Sequence, residues 1–152
     1  MKSGTSFSFY HLPSPLYLLL SMDITKVPNM ENSIRSIKDL KVYELAYSLA
    51  MEVFKITKKF PREETYSLTD QIRRSSRSAA INIREGYAKK KYEQVFIRHL
   101  NDALGSSEET RGWLDFSLDC EYITKEEHEV LDAKYGEVGA MIYSLMNNWR
   151  TF

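Results

Sequence analysis

Three arginines in the middle of the chain have a spacing that suits phosphate binding. Arg73, Arg77 and Arg84 occupy positions i, i+4 and i+11, so on an α-helix they fall within about 40° of one another. A guanidinium group matches phosphate oxygens with two parallel hydrogen bonds. A row of such groups binds a nucleic-acid backbone in a way that depends on salt and largely ignores sequence. The stripe therefore predicts an RNA- or DNA-binding surface.

Further basic residues extend this stripe along the chain. The candidate nucleic-acid-binding residues are Arg73, Arg74, Arg77, Arg84, Lys89, Lys90, Lys91 and Arg98. Tyr87 and Tyr92 flank the lysine run, where they either stack on bases or serve as packing residues. A second interpretation of the basic residues stays open. Arginine and lysine are also ordinary residues of a solvated helix face, and they can pair with an acidic neighbouring subunit.

The formal net charge of zero conceals a strong separation of charge. Residues 71–98 carry eight basic and two acidic side chains, a net charge of +6. Residues 101–137 carry eleven acidic and three basic side chains, a net charge of −8. The neutral total alone argues against a nucleic-acid-binding protein, whereas the dipolar distribution is compatible with one.

Metal-binding residue types do not occur in a usable arrangement in the sequence. A di-iron site in a helical bundle needs Glu-x-x-His pairs, but Phe96 stands three positions before His99 and Lys125 three positions before His128. The single Cys120 excludes an internal disulfide and a cysteine-based zinc site, and we expect it to be a buried thiol. We therefore expect no metal and no other cofactor.

The sequence also lacks a convincing set of catalytic residues. Cys120 and His128 are eight residues apart, which is weak support for a nucleophile and its base. The adjacent acids Glu108 and Glu109 point about 100° apart on a helix, so a solvated face is the expected location. No glycine-rich phosphate loop follows a predicted strand. The sequence predicts a protein that is not an enzyme and has no catalytic residue.

Apolar residues recur with a period close to 3.6 over most of the chain, which is typical of α-helices. The pattern predicts helices over residues 39–59, 68–89 and 92–119. A fourth helix begins with a capping box formed by Thr124 and Glu127. The connections are short, which places consecutive helices antiparallel. The predicted fold is all-α, an antiparallel up-and-down four-helix bundle.

The second predicted helix has two unlike sides. Its predicted buried side is built mostly from small residues, so a neighbouring helix can approach closely: Leu68, Ile72, Ser75, Ser76, Ala79, Ile83 and Gly86. Arg73, Arg77 and Arg84 fall on the opposite side of the helix. We therefore expect the three guanidinium groups to face solvent.

Three apolar residues of the third helix fall beside its core seam, at Val95, Trp113 and Phe116. Exposed together, they would form a patch of the kind that subunits use to associate. A ring of head-to-tail subunits would also bring the acidic region of one copy against the basic region of the next. These residues are the candidate oligomer interface, with packing inside one bundle as the alternative.

Residues 1–35 differ in composition from the remainder of the chain and are rich in serine, proline and aromatic residues. Lys2 and the apolar residues 16–20 have the order of a secretory signal, but the run is short and follows Pro15 directly. The run is also much shorter than the stretch of about 20 apolar residues that a membrane-spanning helix needs. We expect residues 1–35 to be a poorly ordered N-terminal extension and residues 36–152 to be a four-helix bundle domain.

Short motifs occur in a fixed order along the predicted bundle. They are Asp39-Leu-x-Val-Tyr, Phe60-Pro61, Tyr66-x-Leu-Thr-x-Gln71-Ile-Arg-Arg-Ser75, Asn82-Ile-x-Glu85-Gly86, and Phe96 followed by Leu100-x-x-Ala103-x-Gly105-Ser106-x-Glu108. With these motifs, residues 36–150 resemble the four-helix-bundle family of 23S rRNA intervening-sequence proteins. The motifs at residues 71–75 and 82–86 are the most specific part of the resemblance.

The resemblance implies a left-handed four-helix bundle that assembles into a barrel-like homopentamer. Similar proteins accompany the reverse transcriptases of diversity-generating retroelements, where a basic surface contacts nucleic acid. In this chain the corresponding positions are Arg73, Arg74, Arg77 and Arg84. The implied partners are other copies of the chain, RNA or DNA, and a reverse transcriptase or another protein, in the bacterial cytoplasm and with no membrane. The alternative is a structural or protein-interaction scaffold with no nucleic-acid role.

Overall fold

The computed structural model describes residues 34–149. Within this range there are four α-helices and no strand; they are α1 (Lys41–Ile56), α2 (Leu68–Ala88), α3 (Glu93–Asp119) and α4 (Lys125–Asn148). Each helix packs against the next, and α1 also packs against α4, so the four helices enclose one core. The predicted antiparallel up-and-down four-helix bundle is confirmed.

The first helix is shorter than the apolar pattern predicted, because tighter turns flank it. A 3-10 turn over Ile37–Asp39 precedes α1, and Leu40 between them is extended, with φ −79° and ψ 102°. A second 3-10 turn, Thr57–Lys59, follows α1. Phe60 is then extended, since the residue before a proline disfavours helical geometry. The predicted range of residues 39–59 therefore includes Asp39, the last residue of the first turn, and the whole of the second turn.

Helices α2 and α3 approach each other closely, because the residues that face each other are small. Gly86 is buried, and a β-carbon added there would lie 2.9 Å from the His99 Cβ and 3.1 Å from the Phe96 ring. The Thr110 hydroxyl donates a hydrogen bond across the same interface to the Ser75 hydroxyl, at 2.9 Å. All members of the predicted small face are buried: Leu68, Ile72, Ser75, Ser76, Ala79, Ile83 and Gly86.

The start of α4 is fixed by the predicted capping box. The Glu127 N–H donates to the Thr124 hydroxyl at 3.1 Å, and the Thr124 N–H donates to the Glu127 carboxylate at 2.8 Å. That carboxylate also accepts from the Lys59 ammonium at 2.7 Å. The Lys59 contact lowers the pKa of Glu127, and the Thr124 N–H adds to the effect. The capping box thus ties the beginning of α4 to the end of α1.

The centre of the bundle is filled by large side chains from α3 and α4. Phe96 and Tyr135 are the largest fully buried side chains. The Trp149 ring packs on Phe96 with a centroid separation of 4.2 Å. Burial of the Tyr135 hydroxyl raises its pKa. The Tyr135 hydroxyl is thus one of the polar groups that the core encloses.

The predicted N-terminal extension lies outside the described residues, apart from Ile34 and Arg35. The same is true of Lys2 and the apolar residues 16–20. Ile34 packs against the core, and its carbonyl accepts a hydrogen bond of 3.1 Å from the Tyr87 hydroxyl. In residues 34–149, no helix combines the length and the hydropathy needed to cross a membrane.

Candidate nucleic-acid interface

The arginine stripe lies at the junction between α1 and α2. Arg77 and Arg84 are exposed, and Arg73 is half-buried. The sequence placed all three on the solvent side of α2, opposite its buried face, and the structure corrects this placement for Arg73. The buried arc of α2 includes Ala80, because α1 covers a further flank of the helix. The guanidinium groups therefore extend along the edge of the α1–α2 interface.

Phe54 of α1 lies under three positive charges. The guanidinium carbons of Arg73 and Arg77 are 5.0 and 5.8 Å from the centre of its ring. The Lys58 ammonium lies 4.9 Å from the same point. Cations over an aromatic ring are attracted by its negative face, by about 0.5–1 kcal/mol each at exposed sites. Phe54 thus holds cations close together that would otherwise repel one another.

Arg73 is also fixed by a hydroxyl group at the end of α1. Its Nε donates to the Thr57 hydroxyl at 2.7 Å. Thr57 is buried, and the same hydroxyl donates to the Val53 carbonyl at 2.8 Å. The Arg73 side chain therefore has a defined direction. Its two terminal nitrogens make no other hydrogen bond within residues 34–149.

Arg84 makes the corresponding contact at the other end of α1. The guanidinium carbon of Arg84 is 5.9 Å from the centre of the Tyr43 ring. The terminal nitrogen Nη1 of Arg84 donates a hydrogen bond to the Tyr43 hydroxyl at 3.3 Å. We use the name cation–aromatic seam for Tyr43, Phe54, Lys58, Arg73, Arg77 and Arg84. The seam follows the whole length of the α1–α2 junction.

The arginines of the seam lack acidic partners in the part of the chain that the structure describes. Neither Arg73, Arg77 nor Arg84 forms an ion pair with a carboxylate there. Arg74 and Arg111 differ in this respect, because Arg74 lies 3.9 Å from Asp70 and Arg111 is paired at shorter distances. The seam therefore presents uncompensated positive charge to solvent.

The lysine run occupies the turn between α2 and α3. The Lys90 ammonium lies 3.8 Å from the centre of the Tyr87 ring, and Lys91 lies 5.9 Å from that of Tyr92. Tyr87 is a packing residue, since it contacts the core and is bonded through its hydroxyl to the N-terminal segment. Tyr92 is exposed. Both tyrosines had the same two candidate roles in the sequence, and the structure shows that Tyr87 packs on the core whereas Tyr92 is exposed.

Lys89 has a different environment from the other two lysines of the run. Its ammonium lies 3.0 Å from Nε2 of His99 on α3. The Nδ1 atom on the other side of that ring is 3.8 Å from the Glu85 carboxylate. Lys89 is therefore partly engaged within the subunit, whereas Arg98, also on α3, is exposed. Arg98 lies across α2 from the seam, so the eight predicted basic residues form no single continuous track.

The predicted oligomer residues are not brought together either. Trp113 and Phe116 touch, with ring centroids 5.7 Å apart, but Trp113 is half-buried and packs on the core. Val95 stands eighteen positions before Trp113 on the same helix, which corresponds to about 27 Å along its axis. One subunit thus presents two separate apolar positions rather than one patch.

A second stripe, not predicted from the sequence, lies on α1 beside its core face. Tyr43, Tyr47, Met51 and Phe54 recur at i, i+4, i+8 and i+11, which places them on one side of the helix. Tyr47 is 55% exposed and Met51 is 40% exposed. The signal that marks this stripe is a run of large apolar residues beyond those needed for the core.

The acidic side of the bundle is cross-linked within the subunit. Arg111 of α3 donates from Nε to the Asp132 carboxylate of α4 at 2.6 Å and from a terminal nitrogen to Glu108 at 3.0 Å. The Arg111 hydrogen bond lowers the pKa of Asp132, although partial burial opposes the shift. His128 lies 2.7 Å from the Asp115 carboxylate. These pairs stabilise the α3–α4 contact.

The expectation of a buried Cys120 thiol is wrong, because this residue caps the end of α3 and is exposed. The buried positions near this helix end are Ser117, in the last turn of α3, and Ile123, in the connection to α4. His128 is engaged with Asp115, so the weakly supported pairing of Cys120 with His128 gains no support from the structure. Among residues 34–149, no group of three or more histidine, cysteine or acidic side chains is placed to hold a metal ion.

Comparison with known proteins gives a consistent result. Residues 38–144 match the family described as 23S rRNA-intervening sequence protein. The chain is also similar to a crystal structure from Bacteroides thetaiotaomicron, described as a protein with unknown function from the S23 ribosomal protein family. The identity is 29%, the match covers 69% of this chain and 97% of that chain, and the TM-score is 0.63. No curated protein matches this chain.

Proposed function

The chain belongs to the family of 23S rRNA-intervening sequence proteins, and we propose that it is a non-enzymatic, oligomeric protein that binds RNA or DNA through the basic face of α2. The observation that carries the proposal is the uncompensated charge of Arg73, Arg77 and Arg84 along one helix edge. Binding of this kind depends on phosphates and is therefore largely independent of nucleotide sequence.

The seam favours phosphate binding because its guanidinium groups are already oriented. Arg73 and Arg84 are held by the Thr57 and Tyr43 hydroxyls, and Arg73 and Arg77 lie over Phe54. Ordering a free arginine on a phosphate costs side-chain entropy, and a preoriented fork loses less of it. The three groups span eleven positions of α2, which is about 16 Å along the axis.

An oligomer would repeat the seam on every subunit. The homopentamer implied by the family resemblance would present several seams to one nucleic acid, and each additional contact would form at a high effective concentration. Exposed Val95 and Phe116 on α3 offer apolar area for subunit contacts at two positions. In this proposal the protein acts in the cytoplasm, and its further partner is a reverse transcriptase or another protein.

A structural scaffold is the second candidate function. In that case, the arginines of the seam would pair with the acidic α3–α4 region of a neighbouring subunit. The observation that favours it is the net charge of −8 over residues 101–137, opposite in sign to the +6 of residues 71–98. Such pairing would use the seam for assembly and leave no site for phosphate.

A gel-shift titration of a hairpin RNA at two salt concentrations tests the proposal. The informative variant is Arg77→Gln/Arg84→Gln, which removes two exposed cations of the seam. Its matched control is Lys125→Gln/Lys134→Gln, which removes two exposed cations of α4. We expect the seam variant to bind more weakly and its slope of log affinity against log salt to fall by about 1.4 to 1.8. The control is expected to match the wild type.

The scaffold gives the opposite result in the same experiment. The wild type would not shift the RNA even at low salt, and the seam variant would lose its oligomer in sedimentation analysis. A loss of RNA binding that is equal in the seam variant and the α4 control would also contradict the proposal, because it would reflect net charge alone.

A further inference from the structure

The stripe on α1 lies beside the core of the subunit, and of its four residues only Tyr43 packs against that core. The Tyr43 and Tyr47 rings are in contact, with centroids 6.2 Å apart and planes inclined by 41°. Tyr47 is more exposed than its neighbour, and Met51 continues the stripe toward Phe54. Large aromatic side chains that are left uncovered beside a charged surface indicate a partner with both apolar and charged groups.

The stripe and the arginines run in register along the α1–α2 junction. Tyr43 and Phe54 are eleven positions apart on α1, and Arg73 and Arg84 are eleven positions apart on α2. Because the helices are antiparallel, Arg84 meets Tyr43 and Arg73 meets Phe54. The surface therefore offers a row of cations and a parallel row of apolar groups, each about 16 Å long.

This combination matches the chemistry of an unpaired nucleic-acid strand. In proteins that bind single strands, basic groups contact the phosphate backbone and the bases stack on aromatic side chains. A duplex offers the same phosphates but keeps the faces of its bases inside the stack. The cations have no carboxylate partner in residues 34–149, which favours an anionic partner over an uncharged apolar one.

We propose that the cation–aromatic seam, together with Tyr47, binds single-stranded RNA or DNA in preference to duplex, with bases stacked on Tyr47 and phosphates held by Arg77 and Arg84. This inference depends on the proposed nucleic-acid function and narrows it to unpaired strands. Tyr47 is the central stacking residue because it is the most exposed ring of the stripe. At about 3.4 Å per stacked nucleotide, the seam faces about five nucleotides.

Fluorescence anisotropy with end-labelled oligouridine and with a duplex RNA of the same length tests this inference. Tyr47→Ala is expected to weaken oligouridine binding by about 5- to 140-fold, the range for the loss of one stacked base. Duplex binding is expected to change by less than twofold. Tyr47→Phe retains the ring and is expected to bind like the wild type. The salt dependence of Tyr47→Ala should equal that of the wild type, because no charge is removed.

Tyr143→Ala is the matched control, since Tyr143 is 64% exposed on α4 and lies away from the α1–α2 junction. It is expected to leave oligouridine affinity unchanged. If Tyr47→Ala and Tyr143→Ala reduce affinity equally, the stacking role of Tyr47 is wrong.

Two further outcomes separate this inference from the proposed function. One outcome is that the wild type binds both RNAs equally well, that Arg77→Gln/Arg84→Gln weakens binding of both, and that Tyr47→Ala changes neither affinity. In that case the stacking inference fails and the phosphate-binding proposal stands. If Tyr47→Ala changes the sedimentation mass of the protein and not its RNA affinity, the stripe is a subunit contact and the inference is overturned. Absence of binding to any RNA or to single-stranded DNA at low salt contradicts the proposed function itself.

Discussion

The hydroxyl of Thr57 joins Arg73 of α2 to the last turn of α1. It accepts the Arg73 Nε–H at 2.7 Å and donates to the Val53 carbonyl at 2.8 Å. A single buried hydroxyl thus serves the end of one helix and the orientation of a charged side chain on the next. The seam is consequently part of the helix packing and not a set of free surface residues.

The Thr57–Arg73 contact should be measurable as a coupling energy. Thr57→Val removes the acceptor, Arg73→Met removes the donor, and the double variant removes both. Because the donor is charged and partly shielded, we expect a coupling of about 1 kcal/mol in urea unfolding. Arg74→Met with Thr57→Val is the control cycle, since Arg74 points to solvent. Additive effects of Thr57→Val and Arg73→Met would show that the bond adds nothing to stability.

Substitution of Gly86 should test the close approach of α2 and α3. In Gly86→Ala the new methyl group would lie 2.9 Å from the His99 Cβ, so the helices must move apart. We expect a loss of about 1–3 kcal/mol of unfolding free energy, although alanine favours the helix by about 1 kcal/mol.

Gly105→Ala is the matched control for this prediction. Gly105 lies within α3, and a methyl group there would meet no other side chain or distant backbone of the described residues within 4 Å. Helix propensity then acts alone, and the variant should gain about 0.5–1 kcal/mol. Equal effects of the two substitutions in thermal or urea unfolding would contradict the packing argument.

The Arg111–Asp132 pair should make stability depend on acid pH. Its hydrogen bond lowers the pKa of Asp132 in the folded state below 3.8, so the unfolded chain binds a proton at a higher pH than the folded chain. The contribution of the pair is therefore complete above about pH 5 and is lost as the pH falls through the folded pKa.

Asp132→Asn measures this contribution. At pH 7 we expect the variant to lose about 1 kcal/mol, a modest value because both side chains are partly exposed. The difference from wild type should shrink below about pH 4. Glu129→Gln removes an exposed acid that lies 3.7 Å from Lys125 and should have little effect at any pH. A constant Asp132→Asn difference between pH 7 and pH 3 would rule out this linkage.

The Tyr135 hydroxyl should limit stability in alkaline solution. It is fully buried, and no partner lies in hydrogen-bonding geometry within residues 34–149. Burial raises its pKa above that of an unfolded tyrosine, although the neighbouring Ser76 side chain opposes the shift. Nearby Ser76 donates its own hydroxyl to the Arg73 carbonyl at 3.1 Å. Above about pH 10 the unfolded chain loses this proton and the folded chain keeps it, so the free energy of unfolding falls as pH rises.

Tyr135→Phe removes both effects. At pH 7 we expect the variant to be as stable as the wild type or slightly more stable, since an unpaired buried hydroxyl is unfavourable. At pH 11 its advantage should be larger. Tyr143→Phe, at an exposed position, is the control and should show no such pH dependence. A loss of more than about 1 kcal/mol in Tyr135→Phe at pH 7 would reveal a hydrogen-bond partner for the hydroxyl.

The sequence by itself determined the helices, because the signals that define them are local. A period close to 3.6 places apolar residues on one side of each helix, and Thr124 with Glu127 satisfies free backbone N–H groups at a helix start. Pro61 ends the first helical segment, because the residue before a proline disfavours helical geometry. The short connections determine that consecutive helices are antiparallel. Even the small face around Gly86 followed from residue types alone.

Only the tertiary structure decided which helix covers which flank. Angular position places Arg73 and Arg77 on the outer part of α2, but the direction from which α1 approaches determines that both lie over Phe54. Trp113 likewise is half-buried and packs on the core instead of being exposed beside Phe116. Cys120 is exposed because a helix end turns away from the core. Contacts between helices depend on the whole packing arrangement, and a single helical pattern contains no information about its neighbours.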